Sequence, residues 1–230
     1  MKTITEIFDE HNDRQTSKWV HYLEIYERHF RKFVGTPVKI LEIGVEGGGS
    51  LQMWKKYFGK NCEITGIDTL PKCKYEEEQI RVEIGSQNDI NFLQEINQKY
   101  GPFDIIIDDG SHIQMDVLNT FSFLYPRLNM GGVYIIEDLH TAYFHGYGGG
   151  ITSPFNFISI VSKYIHDVNI NFIQEPYTTT LMNIKSINFY NSMVVLEKTN
   201  NEKIYSTYSG RESKNGEIQF TPEMLKHINR

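Results

Sequence analysis

The feature that most constrains the fold is an apolar run at residues 103–108, with the sequence Phe-Asp-Ile-Ile-Ile-Asp. Consecutive β-branched residues are buried on both faces of a sheet, which is typical of a central parallel strand. Apolar patterning predicts further strands at 38–44, 63–68, 80–84 and 133–138, and helices at 19–34, 50–58, 89–100 and 116–128. The alternation of strands and helices predicts a doubly wound, mostly parallel α/β sheet with helices on both faces.

The regular alternation loosens after Asp138. Residues 140–154 are rich in glycine and aromatic residues and predict a loop, and residues 155–166 predict a helix. Two short apolar runs at 184–189 and 193–197 predict a closing C-terminal antiparallel hairpin. We therefore expect an N-terminal helical segment at 1–35, one α/β domain at 36–198 and a polar tail at 199–230.

Composition excludes several classes of partner. The net charge of -6 provides no basic field for nucleic acid. No apolar run is typical of a signal peptide or long enough to span a bilayer, which predicts a cytoplasmic protein. Cys62 and Cys73 are too few for a disulfide framework, so we expect reduced thiols.

Carboxylates gather where the predicted strands end. In open α/β sheets, ligands bind beyond the carboxyl ends of the strands. Four of the five predicted strand ends carry acidic residues, namely Glu42, Asp68, the pair Asp108 and Asp109, and the pair Glu137 and Asp138. The expected ligand therefore carries positive charge or is joined by a cation.

The first strand runs into a glycine-rich turn, Gly44-Val45-Glu46-Gly47-Gly48-Gly49. The dinucleotide fingerprint needs a glycine where Glu46 stands, and a carboxylate there would repel a pyrophosphate. S-adenosylmethionine (SAM) has no phosphate and carries a positive sulfonium, and small residues would allow its close approach. Asp68, at the end of the next strand, could accept hydrogen bonds from both ribose hydroxyls. The turn and Asp68 together favour SAM.

Asp109, Glu137 and Asp138 leave two strands that should be neighbours, because one right-handed crossover joins them. Three carboxylates together would repel one another unless a divalent cation neutralised them. An all-oxygen set favours Mg²⁺, with Mn²⁺ or Ca²⁺ behind it. The alternative is that some of these acids cap helices; Asp109, ahead of Gly110, could do so.

Several stretches of this sequence resemble a known family. They lie at 22–27, 40–45, 49–54, 66–68, 85–87, 107–112 and 134–140, within about residues 18–145. The chain resembles the metal-dependent, SAM-dependent O-methyltransferases that act on macrolide deoxysugars, such as the mycinamicin and tylosin sugar methyltransferases. The resemblance implies a class I methyltransferase domain with a Rossmann-like fold. The double-acid stretches are its most specific part.

The resemblance also implies roles for individual residues. Asp109, Glu137 and Asp138 would hold the metal, and His112 would be the general base, with Asp109 beside it as the second catalytic residue. We expect SAM contacts within the same stretches, at Glu42, Gly44, Ser50, Asp68, Ser86, Gln87 and Asp108. By position alone His112 could instead be an ordinary surface or packing residue.

The substrate implied is a sugar hydroxyl of a vicinal diol. The abundance of Asn, Ile, Lys and Tyr is typical of an AT-rich genome, which favours a surface polysaccharide or nucleotide sugar over an antibiotic sugar. Aromatic residues of the 140–154 region and beyond could form a sugar-stacking lid or serve packing: Tyr143, Phe144, Tyr147 and Phe155. His140 and His145 could contact substrate or be solvated.

Other functions remain open at this stage. A metal-dependent hydroxylase would need two histidines and one carboxylate, and this carboxylate-rich set disfavours it. A non-catalytic SAM-binding protein is a second alternative, and a dehydrogenase, opposed by Glu46, is a third. Apolar surface on 19–33 predicts a homo-oligomer.

Overall fold

The structure is a computed structural model that describes residues 2–178, 183–199, 205–206 and 218–219. Its strands are β1 (Val38–Ile43), β2 (Cys62–Asp68), β3 (Glu76–Glu77), β4 (Ile80–Ile84), β5 (Ile105–Asp108), β6 (Val133–Ile136), β7 (Ile184–Tyr190), β8 (Met193–Lys198), β9 (Tyr205–Ser206) and β10 (Ile218–Gln219). Its α-helices are α1 (Ile4–Asp9), α2 (Val20–Phe30), α3 (Gly49–Phe58), α4 (Ile90–Tyr100), α5 (Gln114–Leu124), α6 (Phe157–Val161) and α7 (Ile165–Val168). Short 3-10 turns connect several of them.

Eight of the described strands form one sheet, in the order β3-β4-β2-β1-β5-β6-β8-β7. The strands β4, β2, β1, β5 and β6 run parallel, and β8 pairs antiparallel with β6 and with β7. The chain winds outward from β1 in one direction through β2 and β4, and in the other through β5 and β6. This reversal opens a crevice at the carboxyl ends of β1 and β5, where ligands bind in such sheets. The predicted architecture and its closing hairpin are confirmed.

The sheet has a hydrophobic core on each face, because side chains alternate along each strand. Ile105 and Ile107 of β5 face a core with α1, α2 and α3, whereas Ile106 faces the core of α4, α5 and α6. The first core contains Tyr22, Tyr26 and Trp54 with exposures of 1% or less. Helix α2 therefore packs on the sheet and brings its N-terminal end to the crevice; the division between 1–35 and 36–198 stays a prediction.

Local chemistry sets several element ends. Asp89 is the N-cap of α4, where its side chain accepts hydrogen bonds from the backbone of Asn91 and Phe92. Helix α5 gives way to a 3-10 turn at Tyr125–Arg127 because Pro126 lacks a backbone N–H. Strand β6 stops before Asp138, whose φ of 52° is left-handed.

Some details differ from the sequence-based expectations. The predicted helix at 155–166 is broken into α6, a 3-10 turn and α7, and β3 and α1 were not predicted. At the start of α2, the apolar Val20 is 82% exposed, whereas Tyr22 is 1% exposed. The predicted tail at 199–230 lies mostly outside the described residues. In the part of the chain that the structure describes, no helix combines the length and hydropathy needed to cross a membrane.

Candidate active site

A cavity of about 690 Å³ opens at the carboxyl ends of β1, β5 and β6. Its lining combines the glycine turn, the strand-end acids and the segment before α2: Ser17, Lys18, Trp19, Val20, Tyr22, Gly44, Glu46, Asp68, Leu70, Asp109, Gly110, His112, Glu137 and Asp138. A smaller cavity of about 150 Å³ adjoins it, since both are lined by Gly44, Asp68 and Gly110.

The glycine turn is packed against the chain's own backbone. A Cβ at Gly47 would lie 2.6 Å from the carbonyl oxygen of Gln15, and one at Gly49 would collide with the backbone of Arg14. Gly44, at a φ of +89°, leaves the same kind of space for the backbone of Asp109. These glycines therefore admit neighbouring segments of the chain, a role that the sequence argument, which assigned them to close approach of the cofactor, did not include.

Asp68 is held by the backbone of the turn. The N–H groups of Val45 and Glu46 donate to its Oδ2 at 2.9 and 3.1 Å, and Leu70 N–H donates to Oδ1 at 2.9 Å. Burial raises the pKa of Asp68, but these backbone donors outweigh it and hold the pKa below its ordinary value. The group therefore stays ionised and faces the cavity as a hydrogen-bond acceptor.

Ser86 and Gln87 line the smaller cavity with Ile43, Ile67 and Asp116. The amide of Gln87 connects two loops, because it accepts from Ser111 N–H at 2.7 Å and donates to Asp108 Oδ1 at 3.1 Å. Asp108 is 1% exposed and lies outside the residues that line either cavity, and burial raises its pKa to about 7. The Asp108 carboxyl group therefore holds the Gln87 amide in place without facing either cavity.

The structure brings Asp109, His112 and Asp138 together on the other side of the large cavity. One donor atom of each lies within 4.8 Å of the others, and His112 Nε2 is 3.9 Å from Asp109 Oδ1 and from Asp138 Oδ2. His112 and Asp138 both have left-handed backbones, with φ of 58° and 52°. Such strain in non-glycine residues is maintained by surrounding structure and gathers at functional sites.

Glu137 and Glu42 lie deeper, around the ammonium group of Lys18. Lys18 Nζ is 2.6 Å from Asp109 Oδ2, 2.9 Å from Glu137 Oε2 and 3.9 Å from Glu42 Oε1. The other oxygen of Glu137 accepts from the Tyr26 hydroxyl at 2.6 Å. Glu42 Oε2 accepts from Trp54 Nε1 at 2.7 Å, and Ser50 is buried beside Glu42. Glu42 and Ser50, both expected to contact SAM, lie outside the residues that line the two cavities.

One ammonium group faces several carboxylates in this cluster. Burial lowers the pKa of Lys18, but Asp109 and Glu137 hold it well above its ordinary value. Burial raises the pKa of Glu137, and the nearby Asp109 charge raises it further. Burial likewise raises the pKa of Glu42 against the opposing effect of Lys18. The raised pKa values show that burial and mutual repulsion disfavour the ionised carboxylates here, and a cation beside them would favour those ionised forms.

A divalent cation fits this environment. Asp109 Oδ1 and Asp138 Oδ2 are free of protein hydrogen bonds in the described structure and point toward His112. Two carboxylates suit a hard ion, and an imidazole beside them is compatible with Mn²⁺ as well as Mg²⁺. Asp138 stands at the N-cap position of the 3-10 helix Leu139–Tyr143, but its side chain makes no capping hydrogen bond. Helix α5 is capped by Ile113 and not by Asp109, so in the described residues these acids do not serve as side-chain caps.

Four residues that hold these acids were missed by the sequence analysis: Lys18, Trp19, Tyr22 and Tyr26. Trp19 Nε1 and the Tyr22 hydroxyl donate to Asp138 Oδ1 at 3.0 and 2.9 Å. A usable signal existed, because Tyr22 and Tyr26 lie four residues apart on one face of a helix and most buried tyrosine hydroxyls find a hydrogen-bond partner.

The aromatic loop flanks this side of the site. Tyr143 and Phe144 are half exposed, and the Phe144 ring lies 5.5 Å from His140, which in turn lies 6.2 Å from Trp19. His140 Nδ1 is 2.6 Å from Ser192 Oγ, and His145 lies on an exposed 3-10 turn. The lid role of these aromatic residues stays a prediction.

Comparison with known proteins places this geometry in a family. A tetracenomycin-C rhamnosyl 3'-O-methyltransferase of Streptomyces olivaceus is 36% identical over 199 residues, covering 80% of this chain and 51% of that protein. The mycinamicin VI 2''-O-methyltransferase of Micromonospora griseorubida is 48% identical over 131 residues, covering 54% of this chain and 33% of that protein. No protein-family model matches the chain.

Two solved structures are also similar to this chain. The MycE methyltransferase of the mycinamycin biosynthetic pathway, in complex with Mg, SAH and mycinamycin VI, has a TM-score of 0.79 and 32% identity, covering all of this chain and 60% of that one. A putative caffeoyl-CoA O-methyltransferase from Staphylococcus aureus, at 18% identity, has a TM-score of 0.52 and covers 86% of this chain and 93% of that one, which shows the fold alone.

The chain therefore has the fold of the class I SAM-dependent methyltransferases. Within that class its relatives are the O-methyltransferases that modify sugars of natural products, and the resemblance predicted from the sequence is confirmed. The chain spans about half the length of the tetracenomycin-C rhamnosyl 3'-O-methyltransferase and 60% of the MycE chain.

Proposed function

We propose that this protein is a SAM-dependent O-methyltransferase that acts on a sugar hydroxyl of a vicinal diol, with a divalent cation and His112 as the general base. The observation that carries the proposal is that one cavity contains both a predicted cofactor subsite and a cluster of possible metal ligands. Asp68 and the glycine turn lie on one side, and Asp109, His112 and Asp138 lie on the other.

The first half suits the cofactor. Ionised Asp68 would accept the ribose hydroxyls, and the small adjoining cavity, with Ile67 on one wall and Ser86 on another, would receive the base. Bound SAM would supply an activated methyl group. Gln87, Asp108, Glu42 and Ser50 would support this half from beneath, as their burial indicates.

The second half suits an acceptor hydroxyl. A sugar hydroxyl is too weak an acid to ionise unaided at neutral pH, and a divalent cation held by Asp109 and Asp138 would supply the Lewis acidity that lowers its pKa. We propose Glu137 as a third ligand, as the resemblance implies; it lies beside the converging set, and its two oxygens accept bonds from Lys18 and Tyr26. His112 is within 3.9 Å of both flanking carboxylates, so its ring can take the hydroxyl proton at Nε2 while they face the charge formed.

Positioning supplies the remaining acceleration. The left-handed backbone at His112 and Asp138 and the bonds from Trp19 and Tyr22 fix the reacting groups before the acceptor arrives. MycE, in complex with Mg and SAH, is the solved relative that supports the same assignment of ion and cofactor here.

The names of the relatives support a general class of methyl acceptor. Their names describe sugar-bearing natural products, so a sugar-containing small molecule is the supported class. We propose a surface-polysaccharide sugar or its nucleotide-sugar precursor on the residue usage noted above, a cytoplasmic location and a homo-oligomer. The hydroxylase alternative is disfavoured, because the clustered set contains one histidine and two carboxylates rather than the reverse.

Mass spectrometry of the protein with SAM, Mg²⁺ and a panel of sugars, nucleotide sugars and glycosylated natural products tests the proposal. We expect a mass gain of one CH₂ on a sugar, lost when EDTA is added, while SAM binding measured by calorimetry persists. SAM binding without transfer to any member would instead support a non-catalytic binding protein. Full transfer in EDTA would remove the metal from the proposal.

A further inference from the structure

Lys18 is the buried cation at the centre of the carboxylate cluster. Its side chain is 3% exposed, and its ammonium group is bonded to Asp109 Oδ2 and Glu137 Oε2. Both bonds are short, and a third carboxylate, Glu42, lies 3.9 Å away. A lysine this deeply buried is retained only where opposite charges pair with it.

The position of Lys18 is determined on both sides by a short segment that we call the N-terminal strap, residues 14–19. At its beginning, Arg14 N–H donates to Gln52 Oε1 at 3.2 Å, and Gln15 accepts from Gly49 N–H at 3.1 Å. At its end, Trp19 donates to Asp138. The strap therefore connects the glycine turn to the acids and carries Lys18 between them.

The two carboxylate oxygens of Asp109 face different partners. Oδ2 faces the ammonium group at 2.6 Å, whereas Oδ1 faces His112 and belongs to the group of donor atoms that converge within 4.8 Å. The ammonium group thus lies on the inner side of the carboxylate, and the donor set lies on its outer side. Lys18 and the convergent set coexist in one arrangement.

We propose that Lys18 is a positioning residue, which holds Asp109 Oδ2 and Glu137 Oε2 from the inner side so that Asp109 Oδ1 stays in the donor set that would bind a divalent cation. This inference rests on the proposed function. Without the ammonium group, the partly exposed Asp109 and the buried Glu42 and Glu137 would lack their counter-charge, and breaking a buried ion pair is strongly unfavourable. Asp109 would then rotate away from Glu137, and Oδ1 would leave the donor set.

The opposite role would be competition, in which the ammonium group takes the place of the cation and weakens its binding. The two roles predict opposite signs. A competitor's removal would tighten metal binding, whereas removal of a residue that orients ligands weakens it, by about 10- to 100-fold in known sites. The simultaneous presence of Lys18 and a convergent donor set favours orientation.

Titration with Mn²⁺, followed by the electron paramagnetic resonance signal of the free ion, measures directly whether the loss of Lys18 weakens or strengthens metal binding. We expect Lys18→Met to bind Mn²⁺ about 10- to 100-fold more weakly than the unmodified protein. Lys18→Arg, which keeps the charge, should lie between the two. Lys55→Met is the matched control, because Lys55 is paired with Glu77 at 3.3 Å outside the cavity, and its affinity should be unchanged.

Equal or tighter Mn²⁺ binding by Lys18→Met would overturn the inference and leave the proposed function intact. Absence of Mn²⁺ binding to the unmodified protein would overturn the metal role and the inference together. A crystal structure of the unmodified protein with Mn²⁺ is independent of how the variant folds. We expect Lys18 Nζ to remain bonded to Asp109 Oδ2 while Oδ1 ligates the ion; displacement of Lys18 from the cluster would overturn the inference.

Discussion

The two halves of the large cavity are held together in different ways. On the proposed cofactor side, Asp68 is fixed by three backbone N–H groups that lie within 23 residues of it in the chain. On the acceptor side, Asp109, Glu137 and Asp138 are fixed by side chains of the strap and of α2, across separations of 91 to 119 residues. Backbone N–H groups hold Asp68 in the first half, whereas side chains of the strap and of α2 hold the acids of the second half.

The difference suggests a division of labour. A subsite built from backbone donors tolerates side-chain changes elsewhere, so cofactor affinity should be insensitive to the side chains of Lys18 and Trp19, which contact the acids. A subsite built from long-range side-chain bonds should lose turnover when any one of them is removed. The following predictions test this division, from the largest expected effect to the smallest.

Asp109→Asn should abolish most of the methyl-transfer activity. The substitution removes the charge shared between Lys18 and the proposed cation, whose Lewis acidity is worth several kcal/mol. We expect turnover at saturating SAM to fall about 10³-fold. SAM affinity, measured by calorimetry, should change little.

Asp104→Asn is the control for this change, since Asp104 accepts from Lys39 N–H at 2.8 Å, just before β5, away from the residues that line the cavity. Its turnover should remain near that of the unmodified protein. An Asp109→Asn enzyme that kept more than about a tenth of the activity would contradict the Lewis-acid assignment.

His112→Ala should lower turnover about 10²-fold, because a positioned general base contributes on that order. In the described residues, His112 makes no hydrogen bond to Asp68 or to the glycine turn, so the affinity for SAM should be unchanged. Steady-state kinetics with saturating cofactor measure the effect. His166→Ala, on the exposed face of α7, provides a histidine control, and turnover equal to that control would remove His112 from the mechanism.

Asp68→Asn should affect the other half. An amide cannot accept all the bonds now made by Val45, Glu46 and Leu70, and a hydrogen bond to a charged group is worth about 1.5–3 kcal/mol. We expect SAM affinity to fall about 10-fold, with turnover at saturating SAM within a few-fold of the original. Calorimetry and kinetics together separate the two quantities.

Asp89→Asn serves as the control, because asparagine caps a helix as well as aspartate does and SAM affinity should stay the same. If Asp68→Asn lowered turnover and left affinity unchanged, the separation of the two halves would be wrong.

Trp19→Phe should have the smallest effect. The change removes one donor to Asp138 Oδ1, but the Tyr22 hydroxyl still donates to the same oxygen at 2.9 Å. The loss of one such bond is worth about 1 kcal/mol, so turnover should fall about fivefold and SAM affinity should not change. A larger loss in affinity than in turnover would show that the strap serves the cofactor half.

Much of the fold was predictable because its signals are local. The run at 103–108 and its neighbouring apolar runs indicated five parallel strands, and the strand ends indicated which acids would meet at one edge. The sequence analysis overestimated strand lengths at Gly44 and Asp138. Both residues have left-handed backbones there, which hydrophobic patterning does not encode.

The helix predicted at 155–166 illustrates a second limit. Its apolar residues satisfy a helical period, but Phe157 and Val161 are buried in α6 whereas Ile165 of α7 is 58% exposed. The period of the sequence does not determine whether a helix continues, because tertiary burial of each turn supplies most of its stability.

The sequence by itself determined the order of strands and helices, the glycine turn and the set of acids that the crevice would contain, because these follow from periodicity and from the edge at which parallel strands end. Only the tertiary structure decided which oxygen of each acid faces the cavity. That choice depends on Lys18, Trp19, Tyr22 and Tyr26, which lie far away in the chain and reach the acids only after α2 has packed on the sheet. Hydrogen bonds and ion pairs act over a few ångströms in space, and no sequence period records that proximity.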